Sequence, residues 1–530
     1  MSRYNTKKAP EVVKSHEGGV VYKLKDEMAL FSLLSTGIDK SFYEGSDARE
    51  QRLVDLINTL AKKDPLLVAK MLVYARQKMG QRTVTHRGAV ALAPFVKGSK
   101  WGSKFFSKRH KTENKGGIVY RLDDMTEIIS CYFFENPDPT SKRGHKPLAN
   151  AMRRGFKSVI EHADPYELAK YQVRNKDLSL IDVVNMVRPV PQEHNKEALA
   201  ALMKDELAQF DTVEDKNTST GQKVAEKVRK GEITKDEAAE ELKESKTANF
   251  AQLIEERKIG YMALLRNLRN ILKASDSLIK SAGELLTDEK MIVKSLVFPH
   301  QIDLALEVVM SEFQTTAGRK LLPYINKAYE ISVQNVKELG IDEHTAVIID
   351  TSGSMFSNWS SLNINGNRLS NRQPAEKASL IGATLAKGVN ADLYQFSDYT
   401  KEIEYNPLDS VNTIKNTVLR QQGVVGHGTQ FDSIFKKIEN KYYKRLFIIT
   451  DGQSSDSTIT RGSAYQAYVR KYGQPYIYYI DLCGYGSTPV NTNNQSIHFL
   501  SGYSAAIYET AKNYEIDPEA LMNEIRAIEF

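Results

Sequence analysis

The sequence predicts a multidomain chain in which an all-α helical-repeat domain is followed by a doubly wound α/β domain. Two observations predict this architecture. Apolar residues recur every three or four positions through residues 20–335, which is the spacing of amphipathic helices. From residue 341 onward, short apolar segments alternate with amphipathic ones, a pattern typical of a largely parallel sheet covered on both faces. We therefore predict domains at residues 1–340 and 341–530.

The helical half contains a faint internal repeat. Helices are predicted in REQRLVDLINTLAKK, DPLLVAKMLVYARQK, NKEALAALMKDELAQF and EELKES. The segment DPLLVAKMLV, which begins at Asp64, returns as DPYELAKYQV, which begins at Asp164. Asp before Pro suits a helix start, because Asp caps free amides and Pro is tolerated at the first helical position. The repeat favours stacked helical hairpins over a compact bundle.

Residues 211–248 differ from their surroundings. They are dense in charges of both signs and poor in large apolar side chains. Thr234 and Glu237 have the spacing of a capping box, which predicts the start of a short exposed helix. We interpret this segment as a solvated excursion from the helical domain.

The α/β half has four predicted strands, TAVIID, ADLYQF, RLFIITD and PYIYYIDL. The segments between them, AEKASLIGATLAKG, FDSIFKKIEN and SAYQAYVRKYG, are amphipathic and predict helices. Ligands of such sheets gather beyond the carboxyl ends of the strands. Asp350 and Asp451 both fall at such ends.

Composition excludes several classes of protein. The 530 residues are 41% hydrophobic and 26% charged, as in ordinary globular proteins. The first twenty residues hold no apolar run typical of a signal sequence, and no run of eighteen apolar residues occurs, so we expect a cytoplasmic protein without a membrane partner. Cys131 and Cys483 are the only cysteines, which excludes a disulfide framework or a cysteine-rich zinc site.

Positive charge is concentrated in the helical half. The net charge of +7 divides into −3 for residues 341–530 and +10 for the preceding residues. Residues 71–110 and residues 141–160 contain no acidic residue. This separation is typical of a surface that binds a polyanion, although a solvated charged face is the alternative.

The acid-free segments supply the candidate nucleic-acid contacts. Lys and Arg neutralise phosphates and give salt-sensitive affinity with little sequence information. Trp101, Phe105 and Phe106 could stack on bases of a single strand, but the hydrophobic core is the commoner place for such residues. His86 either satisfies a core hydrogen bond or touches a phosphate. The candidate cations are Arg82, Arg87, Lys97, Lys104, Lys108, Arg109, Arg153 and Arg154.

Oxygen-bearing side chains follow two of the predicted strands. Asp350, Ser352 and Ser354 alternate directly after TAVII, Thr429 lies in the loop VVGHGTQF, and Asp451 follows RLFIIT. All five side chains offer oxygen and none offers sulfur or imidazole. Such a set suits Mg²⁺, or Ca²⁺ less well, and argues against zinc and copper. In the alternative interpretation, the two Asp residues only cap loops.

These three motifs, in this order, resemble the metal-ion-dependent adhesion site of von Willebrand factor A domains. The resemblance implies that Ser352, Ser354 and Thr429 contact the metal while Asp350 and Asp451 act partly through water. Ligands that are mainly neutral hydroxyls leave the cation short of negative charge. It would then recruit a carboxylate or phosphate oxygen from outside, which predicts binding without catalysis.

Both halves together resemble the Ro ribonucleoprotein autoantigen family, whose N-terminal module is called TROVE. The resemblance is carried by GYMALLRNLRN from Gly260, by Arg82 with THR at 85–87, and by Lys170-Tyr171-x-x-Arg174-Asn175 leading to SLID at 179–182. It implies a ring of HEAT-like repeats closed by the von Willebrand domain. It also implies that Lys170 and Arg174 face RNA.

The resemblance further implies binding of small noncoding RNA of the Y type and of single-stranded ends of misfolded RNA, with a role in RNA quality control or decay. Two positions depart from the family pattern. Leu180 stands where the family often has His, and Arg188-Pro189 stands where the family has His before Lys-Pro. We expect general RNA affinity to survive these changes, leave Y-type recognition open, and include Arg188 among the candidate contacts.

The leading hypothesis is therefore a monomeric, non-enzymatic RNA-binding scaffold with Mg²⁺ at the adhesion site and no DNA partner. A nuclease, or a protein that offers an acidic residue to the metal, is a candidate partner. A second hypothesis is a metal-dependent adhesion module on a helical-repeat platform. A third, a magnesium-dependent RNA hydrolase, is disfavoured because the site lacks the second acidic cluster that two-metal nucleases use.

Overall fold

The computed structural model describes residues 11–109, 115–172, 178–204, 206–207, 224, 226–272, 276–295, 297, 299–311, 315–337, 344–357, 360–364, 367–456, 458–503 and 506–530. Two compact units are present. The sheet unit comprises Met1–Thr85, Phe298–His300 and Ser332–Ala527, and the helical unit comprises His86–Val297, Gln301–Ile331 and Ile528–Phe530. This grouping differs from the predicted boundary at 340/341, because the N-terminal segment groups with the C-terminal sheet.

A six-stranded sheet forms the centre of the sheet unit. Its strand order is β11-β9-β8-β3-β6-β7, and all neighbouring pairs are parallel except the edge pair of β6 and β7. This order has the doubly wound arrangement, in which the direction of winding reverses between β3 and β8. The strands are β3 (Thr345–Asp350), β6 (Asp392–Phe396), β7 (Thr400–Glu402), β8 (Arg445–Thr450), β9 (Tyr476–Asp481) and β11 (Ile497–Ser501).

Helices cover both faces of this sheet. Ile348 of β3 belongs to a buried cluster with Phe435 and Tyr468, whereas the next residue, Ile349, packs so closely on Gly382 that an added Cβ would lie 2.3 Å from its Cδ1. Because successive strand residues point to opposite faces, these contacts lie on the two sides of the sheet. The helices are α18 (Pro374–Val389), α19 (Val411–Leu419), α20 (Asp432–Lys437), α21 (Ser463–Tyr472), α22 (Ala506–Tyr514) and α23 (Ala520–Arg526).

The N-terminal segment is built into the sheet unit. A hairpin of β1 (Val12–Lys14) and β2 (Val20–Lys23) continues into β10 (Ser487–Thr488) to form a three-stranded antiparallel sheet. Helices α1 (Asp26–Thr36), α2 (Ser46–Ala61) and α3 (Pro65–Gln77) follow. The sequence analysis did not predict the hairpin, because the strands are short and one of them pairs with residues more than 460 positions away.

The other helices range from four to 22 residues. They are α4 (Thr83–Leu92), α5 (Gly102–Phe105), α6 (Leu122–Glu135), α7 (Asn150–Glu161), α8 (Pro165–Lys170), α9 (Leu180–Val187), α10 (Lys196–Lys204), α11 (Lys235–Glu255), α12 (Tyr261–Arg266), α13 (Leu268–Ile271), α14 (Asp276–Leu286), α15 (Glu289–Lys294), α16 (Pro299–Ser311) and α17 (Thr316–Lys337). A separate strand pair, β4 (Ser360–Ile364) and β5 (Asn367–Arg372), lies between β3 and α18 in the chain. No described helix is long and apolar enough to span a membrane.

The predicted helix starts are confirmed by hydrogen bonds. Asp64 accepts from the Leu67 amide at 2.9 Å, and Asp164 accepts from the Glu167 amide at 2.7 Å. The capping box of Thr234 and Glu237 is also present, but the helix that it starts, α11, has 21 residues. The expectation of a short helix in residues 211–248 is therefore wrong. Residues 211–223 and 225 lie outside the described residues.

Candidate cation site and basic cavity

The first candidate site lies where β3 and β8 end. These neighbouring parallel strands flank the point at which the winding of the sheet reverses, so their carboxyl ends open onto a shared crevice. Asp350 is the last residue of β3, and Asp451 follows the last residue of β8. The strand ends thus hold two carboxylates at neighbouring positions, as the sequence predicted.

Hydrogen bonds hold the Asp350 loop in a compact form. The Ser352 amide donates to Asp350 Oδ1 at 2.8 Å, and Thr450 Oγ1 donates to Asp350 Oδ2 at 2.6 Å. The hydroxyls of Ser352 and Ser354 lie 3.3 Å apart, and the Ser354 side chain also forms a hydrogen bond to Asp451. Four of the five predicted ligands are therefore connected through these contacts.

The loop that carries Thr429 lies against the same residues. The Gly353 amide donates to the carbonyl of His427 at 3.0 Å, and the carbonyl of Thr429 accepts from Ser455 Oγ at 3.1 Å. Asp398 fixes this loop by accepting from the Gly428 amide at 3.0 Å. The backbone of the loop is thus held by one backbone and two side-chain contacts, and Asp398 is a positioning residue that the sequence analysis did not single out.

All five candidate metal ligands are buried, so an unpaired charge or hydroxyl among them is unfavourable. None is more than 5% exposed, and burial raises the pKa of Asp350 to about 6 and that of Asp451 well above its usual range. Asp451 Oδ2 and Thr429 Oγ1 have no hydrogen-bond partner. Buried carboxylates with unpaired oxygens are costly unless a cation neutralises them, so the residues present fit a hard divalent ion.

The oxygen atoms of these side chains also limit which metals could bind. No group of three or more His, Cys, Asp or Glu side chains in the described parts of the chain is arranged to hold a metal. A cation at this edge of the sheet would therefore depend on the hydroxyls of Ser352, Ser354 and Thr429 as well as on the two carboxylates. Hydroxyl and carboxylate oxygens together suit Mg²⁺ rather than zinc.

The second candidate site is a cavity of about 700 Å³ inside the helical unit. Lys97, from the first acid-free segment, and Arg154, from the second, both line it, and no Asp or Glu lies among the described residues of its wall. Tyr132, Asn136 and Asn150 add polar groups to the wall. The structure thus brings the two acid-free segments together at one cavity. The sequence analysis had grouped these segments only by their composition.

Comparison with known proteins identifies the family. The TROVE domain family matches residues 23–252 and 237–352, which together make up more than half of the chain. The chain belongs to the TROVE family. No curated protein sequence matches this TROVE protein.

The fold is similar to that of a solved structure at low sequence identity. The crystal structure of the Ro (RSR) protein of Deinococcus radiodurans has a TM-score of 0.50 and 15% identity, covering 92% of this chain and 99% of that one. Proximal thread matrix protein 1 from the mussel byssus has a TM-score of 0.22 and 14% identity, covering 39% and 53%, respectively. A mutant PilB minor pilin from Streptococcus sanguinis has a TM-score of 0.20 and 12% identity, covering 34% and 61%. The last two scores are too low to support a shared fold.

Several other predicted cations of this TROVE protein are exposed, and several are paired. Lys97, Lys104, Arg153, Arg154 and Arg188 are exposed. By contrast, Arg87 forms an ion pair with Glu135, Lys108 pairs with Glu167, Arg109 lies over the ring of Tyr120, and Lys170 lies over Tyr166 and Tyr171. A cation that is already paired offers less to a phosphate, so the exposed set provides the better candidates.

His86 is a core residue. Its ring is buried, with Nε2 3.3 Å from a carboxylate oxygen of Asp124 and Nδ1 3.2 Å from one of Glu127. The expected phosphate contact from His86 is therefore corrected, because the ring faces carboxylates and not solvent. Phe105 and Phe106 are fully buried, and Trp101 stacks on Phe530, so the aromatic residues of this run pack within the protein.

The remaining predicted contacts are dispersed. Arg82 belongs to the sheet unit, and Arg174 lies outside the described residues. Arg188 ends α9 in the left-handed conformation, with φ of 49°, and lines a smaller cavity of about 560 Å³ together with Arg143 and Lys196. The sequence analysis missed Lys196, since it stands in a segment that also carries Glu193 and Glu197.

Proposed function

We propose that this chain is the RNA-binding scaffold of a ribonucleoprotein. The observation that carries this proposal is the joint lining of one acid-free cavity by Lys97 and Arg154, which come from separate basic segments. Membership of the TROVE family supports it. Small noncoding RNA, of the Y type in particular, and single-stranded ends of misfolded RNA are the proposed ligands.

The chemistry of the cavity suits a single strand. Two exposed cations can each neutralise a phosphate, while the amides of Asn136 and Asn150 can hydrogen-bond to base edges or sugar hydroxyls. The cavity volume of about 700 Å³ lies in the range of sites that enclose a small ligand. A flexible single-stranded end can enter such a space, whereas a rigid duplex can contact only its rim.

Charge reversal tests this proposal. The Lys97→Glu/Arg154→Glu double variant should bind a fluorescent single-stranded RNA at least about tenfold more weakly, since phosphate contacts supply most of such affinity. The matched control is Lys142→Glu/Lys280→Glu, which makes the same charge change at exposed positions outside the cavity lining. Equal losses in both variants, measured by fluorescence anisotropy, would show that the cavity has no special role.

The identity of the RNA requires a separate experiment. Sequencing of the RNA that copurifies with the native protein should return small structured RNAs or fragments with single-stranded ends. We propose that the protein acts as a monomer without catalysis and presents this RNA for quality control or to a nuclease. Loss of full-length RNA on long incubation of the pure protein with Mg²⁺ would contradict the non-catalytic role.

A second function, metal-dependent adhesion, is favoured by one observation. Asp451 Oδ2 and Thr429 Oγ1 are buried without hydrogen-bond partners where a von Willebrand-like site would hold Mg²⁺. A cation held here could grip an acidic residue of a partner protein. Capture of a partner that needs Mg²⁺ and Asp350 and that survives RNase treatment would support adhesion, whereas loss of capture on RNase treatment would assign it to RNA.

A further inference from the structure

The end of the sheet at which its parallel strands begin lies away from the candidate cation site. Strands β3, β8 and β9 are neighbours, and Thr345 of β3 lies opposite Arg445 of β8, which lies opposite Tyr476 of β9. Because these strands run in the same direction, the residues that precede them meet at one end of the sheet. Asp350 and Asp451 lie at the other end.

Hydrogen bonds connect the segments that precede the three strands. The Lys444 amide donates to the carbonyl of His344, and the Tyr476 amide donates to the carbonyl of Lys444, each at 2.9 Å. The Lys471 ammonium donates to the carbonyl of Glu439 at 3.0 Å. The end of α21 is thus fixed against the segment that leads into β8.

Three rings lie next to one another here. The ring of Tyr442 has its centroid 5.6 Å from that of His344 and 6.0 Å from that of Tyr472. Both pairs are tilted, by 54° and 53°, and are not stacked face to face. Tyr442 is 46% exposed, His344 is exposed and Tyr472 is partly exposed. We call these three residues the aromatic platform.

The aromatic platform is anchored to the core on one side and open to solvent on the other. Tyr472 packs on Tyr468, which is buried, with centroids 5.0 Å apart. The Tyr468 hydroxyl in turn accepts from the Tyr443 amide at 2.8 Å. A contiguous group of exposed rings on a rigid support is typical of a binding surface.

Cations surround the aromatic platform, although this half of the chain is acidic. Residues 341–530 carry a net charge of −3, yet KKIENKYYKR at 436–445 contains five cations and one acid. Lys471 Nζ lies 5.0 Å from the centre of the Tyr472 ring. Three of the cations pair with carboxylates, namely Lys436 with Asp432, Lys441 with Asp392 and Arg445 with Glu515. The cations of this region that form no ion pair within the described parts of the chain are Lys437, Lys444 and Arg470.

Exposed rings interleaved with cations suit a single-stranded nucleic acid. Bases of a single strand stack on aromatic side chains, while Lys and Arg neutralise the phosphates that link them. The bases of a duplex are already stacked and paired, so a duplex cannot use the rings. An acidic protein segment would be attracted by the same cations, but its carboxylates offer no flat face to the rings.

We propose that the aromatic platform is a second binding surface for single-stranded RNA. Bases stack on Tyr442, Tyr472 and His344, and Lys471 neutralises a phosphate beside them. The surface belongs to the sheet unit, whereas the basic cavity belongs to the helical unit. This inference rests on the proposed RNA-binding function for the class of its ligand, but it uses none of the residues of the cavity.

Fluorescence anisotropy with the full-length chain and a short single-stranded RNA tests the role of the rings. The titration uses the Lys97→Glu/Arg154→Glu background, in which binding at the cavity is weakened. There, Tyr442→Leu should weaken the remaining binding by about tenfold, the loss expected when one stacked base loses its aromatic partner. Tyr442→Phe, which keeps the ring, should leave it unchanged.

Tyr399→Leu in the same background is the matched control. Tyr399 is 52% exposed and follows β6, at the other end of the sheet, so its loss should not change RNA binding. An unchanged affinity in Tyr442→Leu would exclude stacking on this ring. An equal loss in Tyr442→Leu and Tyr442→Phe would exclude it as well.

Photocrosslinking shows where the RNA lies. A single-stranded RNA that carries 5-iodouridine should crosslink to Tyr442, Tyr472 or His344 of the wild-type chain, as mapped by mass spectrometry. Unlabelled single-stranded RNA should suppress this crosslink more strongly than polyglutamate of equal charge. Equal suppression would assign the surface to an acidic protein and overturn the proposal, as would crosslinks confined to the helical unit.

The outcomes also separate this surface from the function that it extends. Loss of affinity in Lys97→Glu/Arg154→Glu with no further effect of Tyr442→Leu would leave the RNA-binding function standing and remove the aromatic platform from it. Crosslinks at Tyr442 with no loss of affinity in Lys97→Glu/Arg154→Glu would support the aromatic platform and remove the cavity. A wild-type chain that binds no single-stranded RNA would overturn both.

Discussion

The candidate cation site and the basic cavity expose their charged groups to very different degrees. Asp350 and Asp451 are fully buried at the end of a parallel sheet, whereas Lys97 and Arg154 are exposed at the wall of a cavity. Buried charges are weakly screened and need a counterion at a fixed position. Exposed charges are screened by salt and accept a mobile polyanion. We therefore expect one cation to bind at the aspartates with little dependence on salt. We expect RNA to bind at the basic cavity with an affinity that falls as the salt concentration rises.

The contrast between buried and exposed charge also predicts which substitutions lower the free energy of unfolding. Substitution of Arg49 should have the largest effect. This side chain of the sheet unit is 2% exposed and donates to the carbonyls of Cys483 and Gly37, each at 2.7 Å. Arg49→Met would leave these carbonyls without their buried partner, while Glu44, 3.3 Å from Arg49, would keep its ion pair with Arg52. We expect the free energy of unfolding to fall by about 3–5 kcal/mol in urea denaturation.

Lys62→Met, at an exposed position just after the same helix, is the control and should change stability by less than about 0.5 kcal/mol. A small effect of Arg49→Met would mean that the N-terminal helices contribute little to the sheet unit. The contrast between buried and exposed charge would then not extend beyond the cation site.

Acid should destabilise the sheet unit through His498. Burial lowers the pKa of this ring to about 4, and the ring is stacked on Tyr514 with centroids 4.4 Å apart. Because the neutral ring is favoured in the folded state, its contribution is complete above the unfolded pKa of 6.5 and is lost as the pH falls toward 4. The loss should reach about 3 kcal/mol.

Urea denaturation across this pH range tests the point. His498→Phe should flatten the dependence of stability on pH between 6.5 and 4, whereas His162→Phe, at an exposed position, should leave it unchanged. An equal slope in His498→Phe and wild type would place the acid-sensitive group elsewhere.

The basic cavity should reveal itself in the salt dependence of RNA binding. Each phosphate neutralised on a single strand contributes about −0.7 to the slope of log affinity against log salt concentration. Lys97→Glu/Arg154→Glu should therefore make the slope shallower by about 1.4, and Lys142→Glu/Lys280→Glu should change it less. Anisotropy titrations at several salt concentrations give the slopes. If the slope of the cavity variant equalled that of the wild type, Lys97 and Arg154 would not contact phosphates directly.

The smallest predicted effect, at Thr429, has opposite signs with and without metal. Its buried hydroxyl lacks a hydrogen-bond partner, so Thr429→Val should raise stability by about 1 kcal/mol in EDTA and abolish most of the stabilisation by Mg²⁺. Thr351→Val is the control, because that buried hydroxyl donates to the Phe396 carbonyl at 3.3 Å and its loss should destabilise in both conditions. Equal melting temperatures with and without Mg²⁺ in the wild type would argue against the site.

The parts of the fold that follow local rules were predictable from the sequence. Continuous apolar runs marked β3, β6, β8 and β9, and Asp before Pro marked the starts of α3 and α8. The hairpin of β1 and β2 was not predictable, because three- and four-residue strands carry little periodicity and β2 pairs with β10 across almost the whole chain.

The candidate sites divide in the same way. The spacing from Asp350 to Ser354 marked the candidate cation site because these residues are close in the sequence, but nothing in the sequence relates Ser15 and His16 to the loop that follows Asp451, more than 430 residues away. For the basic residues, the composition identified the two acid-free segments, but it did not show which cations form ion pairs with carboxylates elsewhere. Lys108 and Arg87 are neutralised by Glu167 and Glu135, which the acid-free segments do not contain.

The pairing of β2 with β10 also determines when the N-terminal segment can complete its fold during synthesis. Ser15 meets Ser454 across 439 residues, and Ser32 meets Asp481 across 449. At about 5–20 residues per second, the ribosome needs roughly 20 to 90 s to synthesise that distance. For that interval β2 can pair with β1 but not with β10, so its other edge is open to misassociation. The three-stranded sheet can therefore be completed only after Ser487 and Thr488 have been synthesised.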